Sequence, residues 1–115
     1  MSYPVDINDL AHRIYENAKA HGFWEVRKSF AETVALCHSE LSEALEEWRE
    51  GHDPKEVYFN EDKPDKPEGI AVEMADCVIR IFDWAESEGV NIQQVILNKM
   101  AYNETRPYMH GGKKL

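Results

Sequence analysis

The sequence predicts an all-α fold, a bundle of four helices. Three observations carry this: four stretches whose apolar residues recur at helical spacing, start and stop residues that bracket each stretch, and no segment with the strict alternation of a half-buried strand. At 115 residues the chain is expected to form one domain over 1–115. That length supports a single core with little to spare, so pairing with a second copy would help it.

The first helix starts at Asp6 or Asn8, either of which can cap it. It sets Ile7, Leu10, Ala11, Ile14, Tyr15 and Ala18 along one face before Gly22 ends it. A connector from Phe23 to Lys28 follows, carrying the aromatics Phe23 and Trp24. Ser29 opens the second helix with Glu32 three residues on, the capping-box spacing, and Gly51 stops it. At about 100° per residue, Phe30, Val34, Cys37, Leu41, Ala44, Leu45 and Trp48 form one apolar arc, and Glu40, Glu43 and Glu47 run along its edge. His38, Ser42 and Glu46 take the opposite, wet side.

Residues 52–68 hold three prolines and many charges and read as a long charged loop, with Tyr58 and Phe59 at its centre able to dock it. The third helix is expected from about Pro67 or Glu68 to Glu88, with Gly89 as its stop. It is apolar almost all round, as the central helix of a bundle is. The interruption is a polar stripe of Glu73, Asp76, Arg80 and Asp83. Charges on such a helix must be paired or must coordinate something, and the pairings that spacing offers are Asp76 with Arg80 and Asp83 with Arg80. The fourth helix starts at Asn91, with Gln94 in capping-box position, and carries Ile92, Val95, Ile96 and Met100 toward the core. Pro107 ends it at about Thr105, leaving a tail over 106–115.

The net charge of −9 argues against a general affinity for nucleic acid polymers or anionic membranes, which are held mainly by Lys and Arg. An acidic chain that handles phosphates therefore needs a metal bridge. No stretch combines a basic region with a long apolar run, and none reaches the roughly 18 apolar residues of a spanning helix, so a soluble, cytoplasmic protein is expected. Cys37 and Cys77 each sit in an apolar helical pattern and read as small core residues, with no clustering that suggests a disulfide or zinc.

Glu40 with Glu43, and Glu73 with Asp76, are pairs spaced three apart, so each pair projects two carboxylates from one helix face. Two like charges roughly 5 Å apart repel by about 3 kcal/mol at an effective dielectric near 20. A hard divalent cation removes that repulsion. Mg2+, with Mn2+ as a substitute, takes oxygen ligands and leaves positions for water and substrate phosphates. Lys99 and Asn103 stand four apart on the last helix beside a tail bearing Arg106, His110, Lys113 and Lys114. Crowded donors in an acidic chain suit the phosphates and the base or sugar of a metal-bound nucleotide, although a cationic helix end is also explained by the helix dipole.

The pattern Glu40-Leu-Ser-Glu43, some thirty residues, then Glu73-Met-Ala-Asp76 resembles the paired-acid signature of the MazG-like, all-α nucleoside triphosphate pyrophosphohydrolases. Leu36 to Gly51, Lys99-Met-Ala-Tyr-Asn103-Glu-Thr-Arg106-Pro and Gly22-Phe-Trp24 extend the resemblance over nearly the whole chain. The resemblance implies a helical bundle that assembles as a homodimer or homotetramer. It also implies Mg2+-dependent hydrolysis of a nucleoside triphosphate to the monophosphate and pyrophosphate. Glu40, Glu43, Glu73 and Asp76 would hold the metal, and Lys99 and Asn103 would contact the nucleotide. The gap between the acid pairs is long for that family, because of 52–68.

On this reading a metal-oriented water attacks the α-phosphorus. Glu40 accepts its proton, Arg106 is a second phosphate donor, Trp24 either stacks on the base or serves as a buried hydrophobic residue, and His110 either contributes from the Gly-rich tail or is merely mobile there. Cleansing of the nucleotide pool is the setting such chemistry fits. The rival readings are a silent helical oligomer that binds nucleotides or a partner protein, and a phosphoribosyl-ATP pyrophosphohydrolase. A di-iron bundle is excluded, since neither acid pair is Glu-x-x-His.

Overall fold

The computed structural model describes residues 5–108. They are mostly helical, with four helices and one small two-stranded sheet: α1 (Ile7–Ala20), α2 (Phe30–Arg49), β1 (Tyr58–Asn60), β2 (Lys63–Glu68), α3 (Ile70–Ser87) and α4 (Ile92–Glu104). No helix among them is long and apolar enough to cross a membrane.

The helix boundaries follow from their caps. Asp6 accepts from the backbone N–H groups of Asn8 and Asp9 and starts α1. Ser29 and Glu32 make the reciprocal capping box of α2. Asn91 accepts from the N–H of Gln94 and starts α4, whose end falls at Glu104 with Thr105 as its cap. Gly22, Gly51 and Gly89 take positive φ just past the ends of α1, α2 and α3.

The stretch 52–68 is not a plain loop. Residues 58–60 and 63–68 pair as an antiparallel hairpin, with Asn60 opposite Lys63 and Tyr58 opposite Glu68. Pro64 and Pro67 discouraged a strand reading, but in a two-stranded sheet both strands are edges and can spare N–H groups. Tyr58 docks the hairpin: its hydroxyl donates to Glu47 Oε1 and Oε2 at 2.7 and 2.9 Å, and its ring stacks on His52 with centroids 4.8 Å apart. Phe59 stays exposed. Because the strand continues to Glu68, α3 starts at Ile70, later than its sequence suggested. Gly69 makes the corner at φ +138°, where a Cβ would sit 2.5 Å from the carbonyl oxygen of Glu56.

Helix α3 is the centre. Among the described residues, α1 and α2 both pack along it without close backbone contact with each other, and α4 approaches only the backbones of α1 and α3. The α4 start is tied to the α1 start by the N–H of Ile7 donating to Gln93 Oε1 (2.7 Å), and by Asn8 Nδ2 donating to Asn91 Oδ1 (2.7 Å). The arrangement is open: the radius of gyration is 17.1 Å, against about 13 Å for a compact domain of this length.

The expected core faces are largely turned outward, although Ala11, Ala44 and Cys77 are buried as expected. Leu41, Leu45 and Trp48 on α2, Met74, Val78, Ile79 and Ile81 on α3, and Val95 and Met100 on α4 are exposed, and α4 buries no residue. The buried apolar residues among those described are Ala11, Ala44, Cys77 and Ala85, accompanied by Thr33, Glu40, Glu73 and Asp83. The correction has one cause. Helices α2 and α3 meet where the acid edge borders the apolar arc, so that Cys37, Ala44 and Cys77 are turned in beside Glu40 and Glu73 and Phe30 meets Trp84, while Leu41, Leu45 and Trp48 face away. Cys37 and Cys77 are free thiols, and burial followed by the neighbouring Cys77 pushes the Cys37 thiol up.

Gly69→Ala is expected to destabilise the chain by about 2–3 kcal/mol, since it adds a backbone clash to an unfavourable φ. Gly51→Ala, with nothing within 4 Å of the added carbon, is expected to cost about 1 kcal/mol. Urea denaturation of both variants checks the difference.

Candidate metal centre

Glu40 comes from the middle of α2, and Glu73 and Asp76 from the first two turns of α3. Their side chains converge where the two helices pack, and one oxygen of each lies within 4.8 Å of the others. Glu40 and Glu73 are each 8% exposed, and Asp76 is half-buried. Glu43 lies one turn beyond Glu40 on the exposed rim, its carboxylate facing Glu73. All four acids singled out by the sequence thus share one junction, three as a tight cluster and Glu43 at its edge.

The electrostatics are those of crowded carboxylates. Burial raises Glu73 first, and its neighbours Glu43 and Glu40 add to this, because they offer only acceptors and bond to it only when it holds a proton; the result is about 8. Its Oε2 is buried with no donor among the described groups. Asp76 is raised by burial and by Glu40, against the opposing pull of Arg80. An orphaned buried oxygen beside two more carboxylates is a donor set that a hard divalent cation satisfies, so these residues fit Mg2+ or Mn2+.

Arg80 donates from Nε to Glu40 Oε1 at 3.0 Å. Helix spacing offers it Asp76 or Asp83 as a partner, the alternative to metal coordination, but packing gives Arg80 to Glu40 instead. The guanidinium reaches across to α2 rather than back along α3. The wheel placed Arg80 on the acid stripe, but which residue of the facing helix meets it depends on tertiary packing.

The cluster opens on one side into a cleft of about 800 Å³ between α1 and α3. Glu40 and Asp76 line its wall with Arg80 and Asp83, and Arg13 and Lys28 add two cations that the sequence reading passed over. Phe23 lines the cleft as well. Trp24 is turned inward: its Nε1 donates to Asp83 Oδ1 at 2.9 Å, its ring meets Tyr15 at 5.6 Å, and the Lys28 ammonium stands 4.8 Å over it. Asp83 is raised by burial, an effect that the Trp24 bond opposes. On the other side of the cluster, β2 carries Lys66, which pairs with Glu68 at 3.3 Å and lies within the field of Glu73 and Glu43.

Lys99, Asn103 and Arg106 are exposed and do not line this cleft, and the Lys99 ammonium sits 4.7 Å from the Tyr102 ring. His110 lies outside the described residues. A second group able to hold a cation, Glu47, Glu50 and His52, sits at the foot of the hairpin, where Glu56 raises His52 by a hydrogen bond. No family model, curated protein or solved structure matches this chain.

The folded chain keeps the Glu73 proton up to about pH 8, whereas the unfolded chain releases it near the ordinary value of about 4.3. The folded state therefore binds more protons between those limits, so stability falls as pH rises from about 4.3 to 8 and then levels off. The melting temperature of the metal-free protein is expected to drop by roughly 5–10 °C between pH 5 and 8.5. Glu73→Gln should remove the largest part of that slope. Calorimetric scans across pH check both, and an unchanged slope in the variant would contradict the assignment.

Proposed function

We propose that this protein is a Mg2+-dependent nucleoside triphosphate pyrophosphohydrolase that releases pyrophosphate and a nucleoside monophosphate. One observation carries the reading: buried carboxylates from two helices converge on a junction with an unsatisfied oxygen, and that junction opens into a cleft lined by cations. The resemblance of the paired acids and of the Lys99–Arg106 segment to the MazG-like enzymes supports it as well.

A bound divalent cation would supply charge neutralisation for the phosphates and the leaving group. The protein's own groups do the rest. Glu40, Glu43, Glu73 and Asp76 hold the cation. Glu40 and Asp76, the two of these four that line the cleft, face the substrate side, and Glu40 is the one assigned to accept the proton of the attacking water. The 800 Å³ cleft is within the usual size range for a small-molecule site.

A second copy of the chain completes the proposal. The exposed apolar faces of α2 and α3 and the unburied α4 are surfaces that a homodimer or homotetramer covers, giving the helical bundle its closed core. In such an assembly Lys99, Asn103 and Arg106 act on the phosphates and the base or sugar from the partner's α4. The Arg80–Glu40 pair, which occupies one of the acids, favours as second reading a module that binds nucleotides without turnover.

The test is incubation of the protein with each common NTP and dNTP plus Mg2+, with detection of pyrophosphate. Turnover of at least one nucleotide is expected. The Glu43→Gln, Asp76→Asn double variant should lose more than the roughly 10–100-fold that loss of an outer-shell partner costs. Orthophosphate as the sole product, or equal turnover by the double variant, would sink the mechanism. Calorimetric nucleotide binding without turnover at saturating Mg2+ would establish the silent module instead.

A further inference from the structure

Arg80 stands between two demands. It satisfies Glu40, which is 8% exposed and needs a partner, by a single bond from Nε of 3.0 Å. Yet Glu40 also belongs to the carboxylate cluster whose oxygens lie within 4.8 Å of one another. A guanidinium and a divalent cation compete for the same carboxylate, because each neutralises it and the two repel each other. The remaining guanidinium nitrogens of Arg80 make no hydrogen bond to the described residues, and the side chain, 35% exposed, lines the α1–α3 cleft. Arg13 and Lys28 line the same cleft and take part in no ion pair among the described residues.

We propose that Arg80 is an exchangeable counter-ion. It holds Glu40 while no cation is bound, yields Glu40 to the cation, and turns its guanidinium to the phosphates of a nucleotide in the cleft, beside Arg13 and Lys28. The proposal rests on the metal-centre reading above. The chemistry suits the residue, since an arginine presents parallel N–H donors that match phosphate oxygens, and its movement stays within one side chain. The consequence separates it from a structural ion pair. Removing Arg80 must tighten binding of the cation alone and weaken binding of the nucleotide, whereas loss of a mere structural contact loosens both.

The experiment titrates full-length wild type, Arg80→Met and Arg80→Lys with Mn2+ in the absence of nucleotide. Electron paramagnetic resonance of free Mn2+ is the readout. A non-hydrolysable NTP analogue is then titrated by calorimetry at saturating Mn2+. Arg80→Met is expected to bind Mn2+ about tenfold tighter and the analogue about tenfold more weakly, within the usual range of coupling between sites. Arg80→Lys, which keeps the charge and a smaller change of shape, should move both in the same directions by less, and it carries the test if the methionine variant fails to fold. Mn2+ affinity that is unchanged or weaker in the variants, or analogue affinity that is unchanged, overturns the exchange. Wild-type protein that binds no Mn2+ overturns the metal-centre reading, and the proposal with it.

Discussion

Burial of carboxylates between α2 and α3 is the constraint on which the rest of the molecule depends. Two helices that each carry a broad apolar arc would ordinarily meet along those arcs, since burying a large aliphatic side chain stabilises by about 1.5–3 kcal/mol. Here they meet where the acid edges border those arcs, with Glu40, Glu73 and Asp76 in the contact beside Cys37, Ala44 and Cys77. Such a contact holds only if the charge is dealt with. Arg80 takes one carboxylate and a proton is retained on Glu73 up to about pH 8, which leaves an oxygen with no donor. Site geometry and helix packing are therefore one problem.

The other features follow from that choice. With the acid edges inward, Leu45, Trp48, Val78 and Ile79 face out, and the interior is made of residues no larger than alanine, cysteine and threonine together with the acids. The hairpin over 58–68 braces the C-terminal end of α2 through Tyr58 and Glu47, where the hydroxyl is pushed up to about 12 chiefly by its bond to that carboxylate. The connector before α2 is fixed by Trp24 on Asp83, and by Arg27 paired with Glu88 at the end of α3. Each of these contacts ends on α2 or α3, so they hold the two acid-bearing helices at the angle at which the carboxylates meet.

Much of this was legible in the sequence because caps and periodicity are local. Asp6, the Ser29–Glu32 box and Asn91 gave the starts of three helices, and the stripe of Glu73, Asp76, Arg80 and Asp83 announced that one face of α3 had a special environment. What escaped was set by partners far along the chain. The wheel could not say that α2 turns its acid edge into the contact with α3 and leaves Leu41, Leu45 and Trp48 of its apolar arc outside. Nor could it give Arg80 to Glu40, forty residues away, or bring Arg13 and Lys28 to the cleft. The start of α3 was misplaced because Pro64 and Pro67 argue against a strand wherever the edge is not known in advance. Lys99 and Asn103 stand on a helix that packs little against its own chain, so their local spacing leaves open what they meet.

The central claim is that the α2–α3 carboxylates share one divalent cation. Anomalous diffraction at the manganese edge, from crystals grown with Mn2+, tests it most directly. The account predicts a peak bounded by Glu40, Glu73 and Asp76 with Glu43 at its rim, and Arg80 displaced from Glu40. A peak only at Glu47, Glu50 and His52, or no peak while the Arg80–Glu40 bond stays intact, would contradict it.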